Sequence, residues 1–143
     1  MLVPDVNILL NASRPDTKHH ELSKRWLEDA LDGPDLVGLH DHVLIGFVRI
    51  STHPKIFNTP SPLDEALGWL QCVLDHQNSV KIASGDRWWS VLNVTTTACG
   101  ATGNLISDAH IAAVASEHGA RVVTLDRDFK KLAGRTAIVL TAN

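Results

Sequence analysis

The sequence predicts an α/β domain built on a central, mainly parallel sheet. Short branched-apolar runs (LVPDV, LVGL, SVKIA, RVVTL, TAIVL) alternate with stretches whose apolar residues recur at helical spacing. Strands that alternate with helices join through right-handed crossovers, which gives a parallel sheet covered on both faces. The size fits one such unit. With 143 residues, 44% hydrophobic and 20% charged, the chain reads as a single globular domain over 1–143 with a substantial core.

Each element has a local reason. LVPDV opens as a strand, and NILLNA starts a helix. After the break at Arg14-Pro15-Asp16, Leu22, Trp26, Leu27, Ala30 and Leu31 define a helix that Gly33-Pro34 stops. LVGL is a strand, and Asp41 caps a helix carrying Val43, Leu44, Phe47 and Val48, which His53-Pro54 ends. Ser61-Pro62-Leu63-Asp64 reads as cap, first-turn proline and acid at the third position, with Leu63, Leu67, Leu70 and Leu74 following on one face. SVKIA is a strand. Ser84 or Asp86 starts a helix through Trp88, Val91 and Leu92, and Ser107 or Asp108 starts the next, closed by Gly119. RVVTL and TAIVL supply the last two strands.

Composition excludes several classes. No apolar run approaches the roughly 18 residues of a membrane helix. MLVPDVNILL has no basic lead and carries an acid, so no signal peptide is expected. Cys72 and Cys99 lack C-x-x-C spacing and read as reduced thiols of a cytoplasmic protein. The net charge of −3 means that a nucleic-acid partner must be met by local basic groups or metal ions. His40 and His42 have no zinc-type spacing, and Ser107, Asp108 and His110 lack a nucleophile elbow. The four tryptophans read as core or partner surface rather than base-stacking platforms.

The chemistry is concentrated in acids at strand ends, where parallel sheets gather their ligands. In VVTLDRDF, Asp126 and Asp128 are two apart and share a face if the chain stays extended. Asp5 follows the first strand, and Asp108 opens the helix that leads into RVVTL. All four acids can therefore reach one rim. Singly, each has a plain reading as a helix cap or an Asx-turn. Together they repel, and a divalent cation offsets that repulsion and suits phosphodiester hydrolysis.

The segments LVPDVNILLNA, GFVRISTHPKIF and GNLISDAHIAAVASEHGARVVTLDRDF resemble PIN-domain ribonuclease toxins of the VapC type, more narrowly their large mycobacterial-type branch. The three blocks stand in the family's order and spacing across essentially the whole chain. The resemblance implies a PIN-like three-layer α/β/α sandwich. It implies an Mg²⁺- or Mn²⁺-dependent endoribonuclease that cuts RNA to inhibit translation and growth. It further implies a VapB-type antitoxin partner and a homodimer.

Matched position by position, Asp5, Asp108 and Asp126 take the family's metal-binding places and Asp128 that of the supporting acid. Asn7 matches the residue that orients the first Asp, and Thr124 a hydroxyl beside the site. Most PIN domains carry a Glu before the aromatic residue of the third helix; here Gly46 precedes Phe47. Arg49, Arg127, Lys130 and Lys131 are the candidates to meet RNA phosphates.

Two rivals remain to be weighed. TLDRDF also resembles the nucleophile motif of haloacid-dehalogenase-type phosphatases, but only 15 residues follow Asp128, too few for that catalytic domain. The other is a PIN module that binds RNA or antitoxin without cutting; Gly46 favours it and the four retained acids oppose it.

Overall fold

The computed structural model describes residues 1–141, without the side chain of Arg135. Its strands are β1 (Leu2–Pro4), β2 (Val37–His40), β3 (Ser79–Ile82), β4 (Arg121–Thr124) and β5 (Ala137–Val139). Its helices are α1 (Val6–Ser13), α2 (His20–Leu31), α3 (Asp41–Ser51), α4 (Leu63–Leu74), α5 (Trp88–Cys99), α6 (Asn104–Glu117) and α7 (Lys130–Ala133).

All five strands are parallel, in the order β3-β2-β1-β4-β5. The chain steps outward from β1 to β2 and β3, then returns to the other side of β1 for β4 and β5. With right-handed crossovers, that reversal sends successive helices to opposite faces. The packing agrees: α1 holds α2 and α3, α3 holds α4, and α5, α6 and α7 hold one another. β1 and β4 flank the switch point, where open α/β sheets bind ligands beyond the strands' carboxyl ends. The pairing continues one residue past β1, since the Asp5 N–H donates to the Val123 carbonyl at 2.8 Å. Asp5 is thereby fixed at the switch point by main-chain bonds.

The core is filled by Val3, Ile8, Leu9, Leu39, Phe47, Ile111, Val122 and Val123, all nearly inaccessible to solvent. Phe129 is also fully buried, and it anchors the 3₁₀ turn Arg127–Phe129. Because that ring points inward, the turn lifts Asp126 and Asp128 to the surface.

Several helix starts differ from those read in the sequence. α6 begins at Asn104 behind Gly103, whose φ of +57° suits glycine. Asp108 therefore lies in the second turn of α6 and is not its cap. At α4, Ser61 does not cap the helix. Its hydroxyl instead accepts from the Arg14 guanidinium at 2.8 Å, and the helix starts at Leu63 after Pro62. α5 starts at Trp88, and neither Ser84 nor Asp86 caps it. Glu117 does comparable work from the end of α6, accepting from the Gly85 and Arg87 amides at 2.7 and 2.8 Å. At α3 the cap is His40, whose Nδ1 accepts from the His42 amide at 3.1 Å; Asp41 is the first helical residue.

Candidate active site

A cleft of about 420 Å³ opens at the carboxyl ends of the strands, between the two helical layers. α1 and the end of β1 contribute Asp5 and Val6, and α6 contributes Asn104, Ser107, Asp108 and Ile111. From α3 come His42, Ile45, Gly46, Arg49 and Ile50. These positions are i, i+3, i+4, i+7 and i+8, a single helix face. One wall is therefore acidic and the other carries an imidazole, a guanidinium and apolar side chains.

Asp5 is held from three sides. Oδ1 accepts from the Val6 amide at 2.6 Å, and Oδ2 accepts from Asn7 Nδ2 at 2.6 Å and from Thr124 Oγ1 at 2.8 Å. Asn7 Nδ2 also donates to Thr124 Oγ1 at 2.9 Å, and Asn7 Oδ1 accepts from the Leu125 amide at 3.1 Å. Thr124 Oγ1 in turn accepts from the Asp126 amide at 3.0 Å. The structure thus brings Asn7 and Thr124 directly onto Asp5, and ties the loop after β4 to the same network. Such a connected set of polar groups, built around the buried Asp5 and Thr124, fixes one geometry.

Electrostatics runs against these bonds. Burial raises the Asp5 carboxyl above the usual range despite the bonds from Thr124 and Val6, and the charge of Asp126 adds to the rise. Asp108 is pushed up to about 6 by burial first, then by the charges of Asp5 and Asp126. These three acids therefore share one field. Among the described residues, none of the three pairs with a lysine, arginine or histidine. Their chemistry suits a hard divalent cation, which takes oxygen ligands and removes this repulsion. The side chains do not, however, stand in a closed ligand shell: among the described residues, no group of three or more His, Cys, Asp or Glu is arranged to hold a metal ion. The shared field and the open shell are compatible, because Coulomb coupling extends further than a coordination bond.

The remaining candidates separate. Asp126 is exposed, and its Oδ1 accepts from the Asp128 amide at 2.8 Å, so the Asx-turn reading holds for it alongside its place near Asp5. Asp128 turns outward and pairs with Lys131 Nζ at 2.7 Å. That pair occupies one of the four basic candidates. Arg127 and Lys130 are exposed on the same turn, and only Arg49 of the four lines the cleft.

Gly46 has a steric cause. A Cβ there would stand 2.8 Å from Val6 Cγ2, closer than side chains pack, because α3 crosses tightly over the start of α1. A carboxylate side chain at this position requires Val6 to move.

The sequence did not signal His42 as part of the site. Its Nε2 lies 2.6 Å from Ser107 Oγ, joining α3 to α6 at the cleft rim. The α3 pattern of His42, Gly46 and Arg49 was the available signal, and it reads only once α3 is known to face the acids.

Comparison with known proteins agrees with this fold. The PIN domain family matches residues 2–135. Ribonuclease VapC37 of Mycobacterium tuberculosis is 37% identical over 134 residues, covering 94% of this chain and 93% of its own. Ribonuclease VapC25 of the same organism is 34% identical over 133 residues, covering 93% and 94%. FitAcB from Neisseria gonorrhoeae shares the fold, with a TM-score of 0.66 at 20% identity over 98% of this chain and 97% of that one.

Proposed function

Because the chain belongs to the PIN domain family, among proteins of the VapC ribonuclease type, we propose that it is the toxin of a type II toxin–antitoxin pair. In this reading it is an Mg²⁺- or Mn²⁺-dependent endoribonuclease that hydrolyses RNA phosphodiester bonds in the cytoplasm and so inhibits translation and growth. The observation that carries the reading is the group of Asp5, Asp108 and Asp126 at the switch point. Asp126 raises the proton affinity of Asp5, both raise that of Asp108, and among the described residues none of the three forms an ion pair with a basic side chain.

Asp5, Asp108 and Asp126 would hold the cation, with Asp128 in support. When bound, the cation supplies charge neutralisation and Lewis acidity toward the phosphoryl oxygens. The chain's own residues do the positioning. Thr124 and Asn7 fix Oδ2 of Asp5 against the end of β4, and the Val6 amide fixes Oδ1. Arg49 faces the acids from α3 and receives a phosphate oxygen of the RNA. Val6, Ile45, Ile50, Ile56 and Ile111 make the cleft partly apolar, which limits water around the phosphate. A VapB-type antitoxin and a second copy of the chain are the partners this reading expects. The exposed Ile45, Ile56, Leu63 and Leu67 supply apolar surface of the kind a partner covers.

Mapping RNA ends after brief induction in cells tests the proposal, with Asp5→Ala as control. New ends at defined sites with the wild type, absent in the control, are expected; identical end profiles would defeat it. Gly46 favours the second reading, a PIN module that binds without cutting. A magnesium titration separates the two, since bound metal raises the melting temperature by mass action.

A further inference from the structure

A ladder of aromatic rings runs from the sheet to the cleft. His110 of α6 meets His40 at 5.0 Å and 66°, His42 at 4.9 Å and 63°, and Trp88 at 5.1 Å and 84°, all edge to face. Trp88 then meets Trp89 at 5.6 Å. His40 is buried, His110 and Trp88 are half-buried, and His42 is exposed at the cleft rim. The outermost ring on the cleft side is thus fixed twice, by the edge contact with His110 and by the 2.6 Å bond to Ser107. An aromatic side chain so restrained has little freedom left to lose when something packs on it.

The position relative to the acids decides what packs there. His42 and Arg49 lie on the same face of α3, seven residues or about 10 Å apart along the axis, and both line the cleft opposite Asp5 and Asp108. That separation brings the rim within reach of a base next to a phosphate held between Arg49 and the acids. Burial, then the charge of Arg49, lowers the proton affinity of His42. The ring therefore presents a neutral π-face at neutral pH rather than a counter-charge. Single-stranded RNA is commonly gripped by stacking its splayed bases on such faces, including histidine.

The geometry points to the His42 imidazole as the stacking platform for an unpaired RNA base next to the cleaved phosphate, with His110 and Ser107 holding the ring in place. This inference rests on the ribonuclease reading above and adds a base-binding subsite to it.

The test is a fluorescence-anisotropy titration of a fluorescein-labelled, mixed-sequence RNA decamer in calcium at low salt, with RNA integrity checked on a gel. His42→Phe keeps a π-face without the bond to Ser107, and it should bind within about threefold of wild type. His42→Leu keeps bulk without a π-face, and His42→Ala keeps neither; both should bind roughly tenfold to a hundredfold more weakly, the range of one lost base stack. An abasic decamer with the same phosphates should bind all four proteins alike. Thermal melts of each variant confirm folding, and the Leu variant decides the matter if the Ala variant melts at the titration temperature. Equal affinity of the Leu variant and wild type, or a Phe variant as weak as the Leu one, overturns the platform while leaving the ribonuclease reading intact. Failure of the wild type to bind the decamer at all overturns both.

Discussion

Asp108→Asn should stabilise the metal-free protein. The Asp108 carboxyl titrates at about 6 in the fold and at 3.8 without it. Between those values the native state keeps a proton that the unfolded state has released. The contribution of Asp108 to stability is therefore most favourable below pH 4, falls as pH rises through 6, and is level above 7. The shift is about two units, and at about 1.4 kcal/mol per unit its limit is about 3 kcal/mol. Asp108 is only half-buried, so solvent screening reduces this to about 1–2 kcal/mol. Among the described residues its carboxyl accepts no hydrogen bond, which leaves the Asn variant with little to lose. In a chain of this length that gain raises the melting temperature by about 3–6 °C. The assay is a thermal melt in EDTA at pH 4, 6 and 7.5. The variant should gain on the wild type as the pH rises from 4 to 7.5, and melt higher at pH 7.5. Added magnesium should raise the wild type's melting temperature more than the variant's. A variant that melts at or below wild type at pH 7.5, with an unchanged pH profile, refutes the idea that Asp108 is destabilised by burial and by its neighbours' charges.

Three further outcomes follow from the same geometry. Thr124→Val removes the hydroxyl that donates to Asp5 and accepts from the Asp126 amide; it should cost about 1–3 kcal/mol in denaturant unfolding and move the acid limb of the cleavage pH profile upward. Gly46→Glu should destabilise by about 1–3 kcal/mol through overpacking on Val6, and Val6→Ala in the same chain should recover part of the melting temperature. Arg14 is buried against the Phe57 ring at 3.8 Å and donates to Ser61 and to the Thr59 carbonyl. Arg14→Met should therefore cost about 2–3 kcal/mol and open the segment before α4 to limited proteolysis.

Much of the fold was legible because its signals are local. The five strands and six longer helices announce themselves by branched-apolar runs and helical periodicity, and the parallel sheet follows from their alternation. The helix starts were less legible because long-range partners took over the capping groups. Ser61 went to Arg14, and the α5 start drew on Glu117 some thirty residues later. Asp108 looked like a cap from its neighbours, yet the freedom of Gly103 lets α6 begin a turn earlier.

At the site, Asp5 and Asp126 were legible because they end adjacent parallel strands. Asp128 was less so. The burial of Phe129 curls the chain into a 3₁₀ turn, so the extended i, i+2 geometry does not apply and Asp128 swings toward Lys131. His42 was invisible for a different reason: its role depends on which face of α3 meets α6, a tertiary fact. The reason for Gly46 likewise lies in the approach of α3 to α1 rather than in α3 itself.

The central claim is that Asp5, set at the switch point and oriented by Asn7 and Thr124, works with Asp108 and Asp126 through a divalent cation to cut RNA. Its most direct test is cleavage of total cellular RNA by the purified protein in magnesium or manganese, in EDTA, and with Asp5→Asn. Discrete fragments with wild type and metal, and none in EDTA or with the folded variant, are the predicted result. Equal cleavage in EDTA, or by Asp5→Asn, contradicts the account.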